Sequence, residues 1–336
     1  MNFLRRHLFS LLIIGGAIVA YSFPGPFTEI GGFRCARLIV PLIQVIMFGM
    51  GTTLSLSDFA VSLRRPWPVI VGAVLQFSVM PSLGYLLARL AGLDGDVAAG
   101  VVLIGSAAGG VASNVMAYIA NANVALSVTM TTVSTLLSPL LTPLLMRLFA
   151  GRFIVVDVVG MMLSLLNMIV VPILLSQIAR FCFIRWCRKA ETVVARVLPY
   201  LSMTAICVIV TVCVAAARKE LASAGLLIFG VAVAHNACGY ALGYWGTRLL
   251  SRIAPISERD CRTVAIEVGM QNAGMSQALA MDVLKSASAA LAPTIFGVWM
   301  DFSGSLLANW WNRRDVSASS EGGQSRRDGG GCGMLR

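Results

Sequence analysis

The stretch Glu267-Val268-Gly269-Met270-Gln271-Asn272-Ala273-Gly274-Met275-Ser276-Gln277 places a carboxylate, neighbouring carboxamides and two glycines inside an apolar segment long enough to cross a bilayer. A charge at mid-membrane costs roughly 3 kcal/mol, so such a residue normally faces a partner or a water-filled cavity. A second stretch, Gly105-Ser106-Ala107-Ala108-Gly109-Gly110-Val111-Ala112-Ser113-Asn114-Val115-Met116, has the same character. Glycines loosen a membrane helix, and Ser, Asn, Gln and Glu side chains satisfy the backbone groups set free. A lone glycine would be read as a seam for close helix packing. Glycines beside Ser-Asn in one segment and Glu-x-x-x-Gln-Asn in the other point instead to discontinuous helices built around a site.

Ser127 and Thr131 lie four apart, on one helical face, in the next apolar segment. Carboxylate, amide, hydroxyl and backbone carbonyl oxygens together suit a hard cation. Sodium is the natural candidate, with proton coupling through Glu267 left open by spacing. Helix starts created at the breaks would attract an anionic group. The residues therefore read as a cation-coupled carrier of an organic anion.

The elements that hold these residues follow from composition. Of 336 residues 57% are hydrophobic and 12% charged, which describes a polytopic membrane protein. The net charge of +11 lies in short clusters between apolar runs, so topology accounts for it and nucleic acid does not. Eight cysteines, no CxxC pair and two histidines argue against a zinc site or a disulfide framework. The segment after Arg5-Arg6-His7 lacks a small-x-small cleavage site and reads as a retained first span.

Ten spans are expected, at about 8–23, 37–57, 67–90, 97–120, 124–147, 157–179, 197–217, 221–247, 263–284 and 290–311. An inside N-terminus assigns 18 of the 26 basic residues to the cytoplasmic side, leaving Arg34, Arg37, Arg89, Arg147, Arg152, Arg218, Lys219 and Lys285 outside. Both termini are therefore expected in the cytoplasm. The transmembrane domain covers 1–312, and the polar, glycine-rich tail 313–336 is expected to be disordered.

Asn114 and Asn272 stand 158 residues apart, close to half of the membrane portion. Span four of one five-span half (about 8–150) then matches span four of the other (about 155–312). Five spans per half invert the second copy, the arrangement in which paired broken helices form the substrate and ion sites of many secondary transporters. The expected fold is thus an all-α polytopic membrane protein of ten helices in two inverted repeats.

At these residues the chain resembles the bile acid:sodium symporter family, including its bacterial and pantoate-type members. The resemblance is carried by Gly109-Gly110-Val111-Ala112-Ser113-Asn114-Val115-Met116, Ala125-Leu126-Ser127-Val128, Val133-Ser134-Thr135-Leu136-Leu137-Ser138-Pro139 and Glu267-Val268-Gly269-Met270-Gln271-Asn272. It extends through Leu54-Ser55-Leu56-Ser57-Asp58-Phe59 and Gln76-Phe77. It implies a core domain with spans four and nine crossing at their breaks, and a panel domain.

The resemblance further implies one sodium held by Ser113, Asn114, Ser127, Thr131 and Glu267. A second would be held by Gln76, Glu267, Gln271 and the carbonyls of Val268 and Met270. Substrate would sit near the amides of Val111 and Ala112 and the side chain of Asn272. The implied activity is sodium-coupled symport of a small organic anion such as a bile acid, pantoate or 2-oxo acid. It runs by alternating access in a bacterial inner membrane, with no cofactor beyond the coupling ion.

Two departures stand out. Ala108 replaces a frequent Pro before the glycine pair, and Met300-Asp301 replaces a His-Asn pair before Ser303-Gly304. Asp301 thus brings a carboxylate to the substrate side, which opens an alternative: a proton-coupled or exporting relative with altered substrate. A membrane-embedded enzyme would need a nucleophile or metal constellation that the spans lack. A non-transporting sensor is the remaining alternative.

Overall fold

The computed structural model describes residues 2–53, 66–186 and 188–328. Thirteen helices carry the described chain: α1 Asn2–Ser22, α2 Ile39–Thr53, α3 Pro66–Leu90, α4 Gly95–Gly105, α5 Ala112–Ile119, α6 Val124–Phe149 and α7 Val158–Leu165. They continue with α8 Val171–Trp186, α9 Arg188–Ala216, α10 Arg218–Leu250, α11 Glu258–Gly269, α12 Ala273–Asp282 and α13 Ala287–Asp328. A single helical turn, Gly25–Thr28, and a two-residue hairpin, Glu29–Ile30 with Phe33–Arg34, follow α1. A π-helical turn, Leu166–Val170, joins α7 to α8. Six apolar helices among the described residues are long enough to cross a membrane. The protein is an all-α, multi-pass integral membrane protein apart from the hairpin.

Helix lies at each of the ten expected stretches, with differences at the ends. The second stretch is helical to Thr53, and 54–65, which include Leu54-Ser55-Leu56-Ser57-Asp58-Phe59, Arg64 and Arg65, lie outside the described residues. The backbone of α13 is helical to Asp328, well into the tail. Side chains beyond Arg314 and the last eight residues lie outside the described set.

Local chemistry explains the ends and interruptions. Asn123 caps α6, its Oδ1 accepting from the Leu126 amide at 3.1 Å, and Asp157 caps α7 in the same way through Gly160. Ser257 and Asp260 form a reciprocal capping box at the start of α11. Pro139 inside α6 leaves the Thr135 carbonyl without its helical donor, and the Ser138 hydroxyl supplies one at 2.8 Å.

The helices sort into two groups. In one, α1 and α2 pack on α9, and α2 also packs on α8; in the other, α3, α4, α6, α10, α11 and α13 enclose the broken segments. An apolar cluster joins the groups, with Ile43 and Met47 of α2, Leu165 of α7 and Ile209 of α9 against Met275 and Leu279 of α12. Ser164 donates to Asp282 at 2.8 Å along this seam. By contrast α5 packs on α6, α11 and α13 and leaves Val115 and Tyr118 exposed.

Candidate functional site: a crossover of two broken helices

Both broken helices form. The first runs as α4, stops at Gly105, and resumes as α5 at Ala112; the second stops at Gly269 and resumes as α12 at Ala273. The connectors meet in a short antiparallel bridge between Gly109 and Gln271. The Gly110 amide donates to the Met270 carbonyl at 3.0 Å, and the Asn272 amide to the Ala108 carbonyl at 2.8 Å.

Neither glycine of the first break has positive φ. They are required by close approach: a Cβ on Gly110 would lie 2.6 Å from the Gln271 carbonyl oxygen, and one on Gly109 2.8 Å from Glu267 Oε2. The break thus forms with Ala108 where a proline is frequent.

Buried backbone groups released from a helix need partners. Thr142 donates to the Ser106 carbonyl, Gln76 to the Ala107 carbonyl, and Asn236 to the Gly269 carbonyl, at 2.7, 3.0 and 2.9 Å. Ser134 Oγ accepts from the Gly109 amide at 3.1 Å. Sequence reading left Thr142, Ser134 and Asn236 without a role. The signal was an isolated polar residue in an apolar span, which by itself does not name its partner.

Around Glu267 the structure gathers all five residues expected at the first ion position. Its carboxylate accepts from Ser113, Ser127 and Thr131, the last at 2.9 Å to Oε2, and Ser127 also faces Asn114 Oδ1 at 2.9 Å. Ser113 additionally faces the Gly110 carbonyl at 2.6 Å. Each hydroxyl has one proton yet each faces two acceptors, so acceptor oxygens exceed donors. Glu267 is 2% exposed and makes no ion pair among the described residues. A buried carboxylate with surplus acceptor oxygens around it calls for a cation or a proton.

The second expected position is arranged differently. Gln76 donates to Gln271 Oε1 at 2.6 Å, and Gln271 donates to the Val268 carbonyl at 2.7 Å. The Met270 carbonyl is taken by Gly110, and the Glu267 carboxylate is turned to the hydroxyls. Gln76, Val268, Met270 and Gln271 are brought together, with their oxygens largely engaged by one another.

On the proposed substrate side, the Ser113 and Asn114 amides turn back to the Gly110 and Val111 carbonyls, so those of Val111 and Ala112 stand at the start of α5. Asn272 caps α12, with its Oδ1 accepting from the Met275 amide at 3.0 Å. Asn272 Nδ2 is buried without a hydrogen-bond partner, as is Asp301 Oδ1 on α13.

The signature of the Sodium Bile acid symporter family matches residues 40–224. The chain belongs to that family. It is 39% identical to the uncharacterized sodium-dependent transporter YocS of Bacillus subtilis, across 91% of each chain. A probable sodium/metabolite cotransporter BASS2 of rice chloroplasts is 33% identical over 94% of this chain and 72% of that protein. A probable sodium/metabolite cotransporter BASS3 of Arabidopsis chloroplasts is 31% identical, over 90% and 69%. These are transporters, so family membership makes the chain a membrane transporter and not an enzyme.

Proposed function

We propose that the chain is a sodium-coupled secondary transporter that carries a small organic anion with the ion by alternating access. The observation that carries this reading is the buried, acceptor-rich oxygen cluster of Ser113, Asn114, Ser127, Thr131 and Glu267, where no cation among the described residues neutralises the carboxylate. The names of the relatives supply the ion: sodium-dependent transporter and sodium/metabolite cotransporter. Sodium is the cargo ion of the first site. The amide-lined position of Gln76, Val268, Met270, Gln271 and Glu267 is a second, coupled one.

The substrate anion binds at the α5 and α12 helix starts, near Val111, Ala112, Asn272 and Asp301. There the free amides and helix dipoles favour negative charge. Bile acids, pantoate and 2-oxo acids are the classes considered first. The helices are ten spans in two inverted five-span repeats, about 8–150 and 155–312, with both termini on the cytoplasmic side of a bacterial inner membrane. α1, α2, α7–α8 and α9 form the panel and the rest the core. The sealed apolar seam at α12 and the exposed Val115 and Tyr118 on α5 correspond to one closed and one open access route.

The test is uptake into proteoliposomes with sodium replaced by potassium or choline. Sodium should stimulate wild-type uptake, and Glu267→Ala should abolish that stimulation while the protein still reconstitutes. Full sodium-stimulated transport by the variant would defeat the assignment. The Asp301 carboxylate favours one second reading, proton coupling or export, and a pH series in the same assay separates it from sodium coupling.

A further inference from the structure

Asp301 is a carboxylate on the substrate side of the crossover, and its position can be fixed from its helix neighbours. It follows Gly297 by four residues and precedes Gly304 by three, so the three share a face of α13. A Cβ on Gly297 would lie 2.7 Å from Ala273 Cβ, and one on Gly304 2.9 Å from Met270 Sδ. Asp301 therefore stands level with the connector that runs from Met270 to Ala273. Thr294, seven residues earlier, accepts from Gln277 within α12, and Asn312, eleven residues later, donates to the Ile119 carbonyl at the far end of α5. The stripe that carries Asp301 thus runs from α12 past the Met270–Ala273 connector to the end of α5, with Asp301 at the level of the connector.

Each side of this packing contact carries an orphaned atom. Asn272 is 7% exposed and its Nδ2 is an unpartnered donor; Asp301 Oδ1 is an unpartnered acceptor shielded from solvent. A buried polar atom without a partner costs about 1–3 kcal/mol, which a ligand carrying the complementary group recovers. The Asn272 donor and the two helix starts suit a carboxylate. Asp301 suits the opposite charge and would repel a plain anion placed beside it.

We infer that the substrate is zwitterionic: a small carboxylic acid that also bears an ammonium group, its carboxylate held at Asn272 and the α5 and α12 starts and its nitrogen by Asp301. This deepens the transport reading given above and rests on it. Asp301 acts as a specificity determinant, selecting amino-bearing acids over their oxo counterparts.

The test is a binding assay on the purified full chain in sodium, comparing acids of one carbon skeleton that differ only in the nitrogen: alanine, valine and leucine against pyruvate, 2-oxoisovalerate and 2-oxoisocaproate. Thermal stabilisation is the readout. The amino acids should half-saturate at concentrations about tenfold lower than the oxo acids, the worth of one hydrogen bond to a charge. Asp301→Asn should erase or invert that ratio while keeping stabilisation by sodium alone. Tighter binding of the oxo acids to wild type, equal binding of both sets, or no shift with either would overturn the inference. So would an unchanged ratio in Asp301→Asn. Stabilisation by sodium alone reads the ion site separately: its loss in wild type would strike the transport reading, and its presence beside an oxo-acid preference would strike only this inference.

Discussion

The two proposed ion positions at the crossover both call on Glu267 and lie on the same pair of connectors, yet they differ in how their oxygens are spent. Around Ser113, Ser127 and Thr131 the acceptors outnumber the protons available, and a buried carboxylate sits at the centre. Around Gln76 and Gln271 each amide donor meets a carbonyl or the other amide, at 2.6 to 3.0 Å. The first arrangement is incomplete without positive charge. The second is nearly complete without one, and an ion entering it must break the Gln76–Gln271 contact. The contrast predicts a tight site and a weak one, with occupancy of the weak one coupled to movement of the Gln271 connector that also carries Asn272.

The largest expected effect removes both positions at once. Gly110→Ala drives a methyl into the Gln271 carbonyl, a backbone atom that cannot step aside, and overpacking of this kind costs about 1–3 kcal/mol. Uptake should lose its sodium stimulation and thermal unfolding should move down even without sodium. A smaller effect, confined to the hydroxyl-rich side, is expected for Ser127→Ala. Loss of one polar partner of a charge is worth about 1.5–3 kcal/mol, so sodium affinity should fall about ten- to a hundredfold with little change in sodium-free stability.

Gln271→Ala should act more weakly still. Gln76 keeps its bond to the Ala107 carbonyl, so the expected change is a few-fold rise in half-saturating sodium and a shallower sodium dependence of uptake. If Gln271→Ala outweighs Ser127→Ala in a sodium titration, the ranking of the two positions is reversed. The smallest effect is expected at Ser134, whose hydroxyl hydrogen-bonds the Gly109 amide and the Thr131 carbonyl and not the Glu267 carboxylate. Ser134→Ala should lower stability by about 1 kcal/mol and leave sodium affinity within a few-fold of wild type.

Much of this was legible in the residues. Glycines beside Ser113-Asn114 and beside Glu267 and Gln271-Asn272 announced two breaks, because no purely apolar span gathers such groups without a site. The five-oxygen set around Glu267 followed from residue type, one helical spacing and family likeness. What the residues did not announce depends on long-range contact. Gln76 and Gln271 stand 195 positions apart, and nothing local to either says that they bond. The donors that rescue the released carbonyls, Thr142 and Asn236, come from spans with no break of their own. The π-helical turn at Leu166–Val170 does have a local mark, since Pro172 lacks the amide that would pair with the Met168 carbonyl four residues back.

The most direct test of the central claim, that the Glu267 cluster is a sodium site, is a sodium titration of the purified chain by thermal stability, at constant ionic strength set with choline. A ligand that binds only the folded state stabilises it by about 2.7 kcal/mol at a hundredfold excess over its Kd. The wild type should be stabilised by sodium and not by choline, and Glu267→Gln, which keeps the shape and removes the charge, should lose that response. Sodium stabilisation of Glu267→Gln equal to that of the wild type would contradict the account.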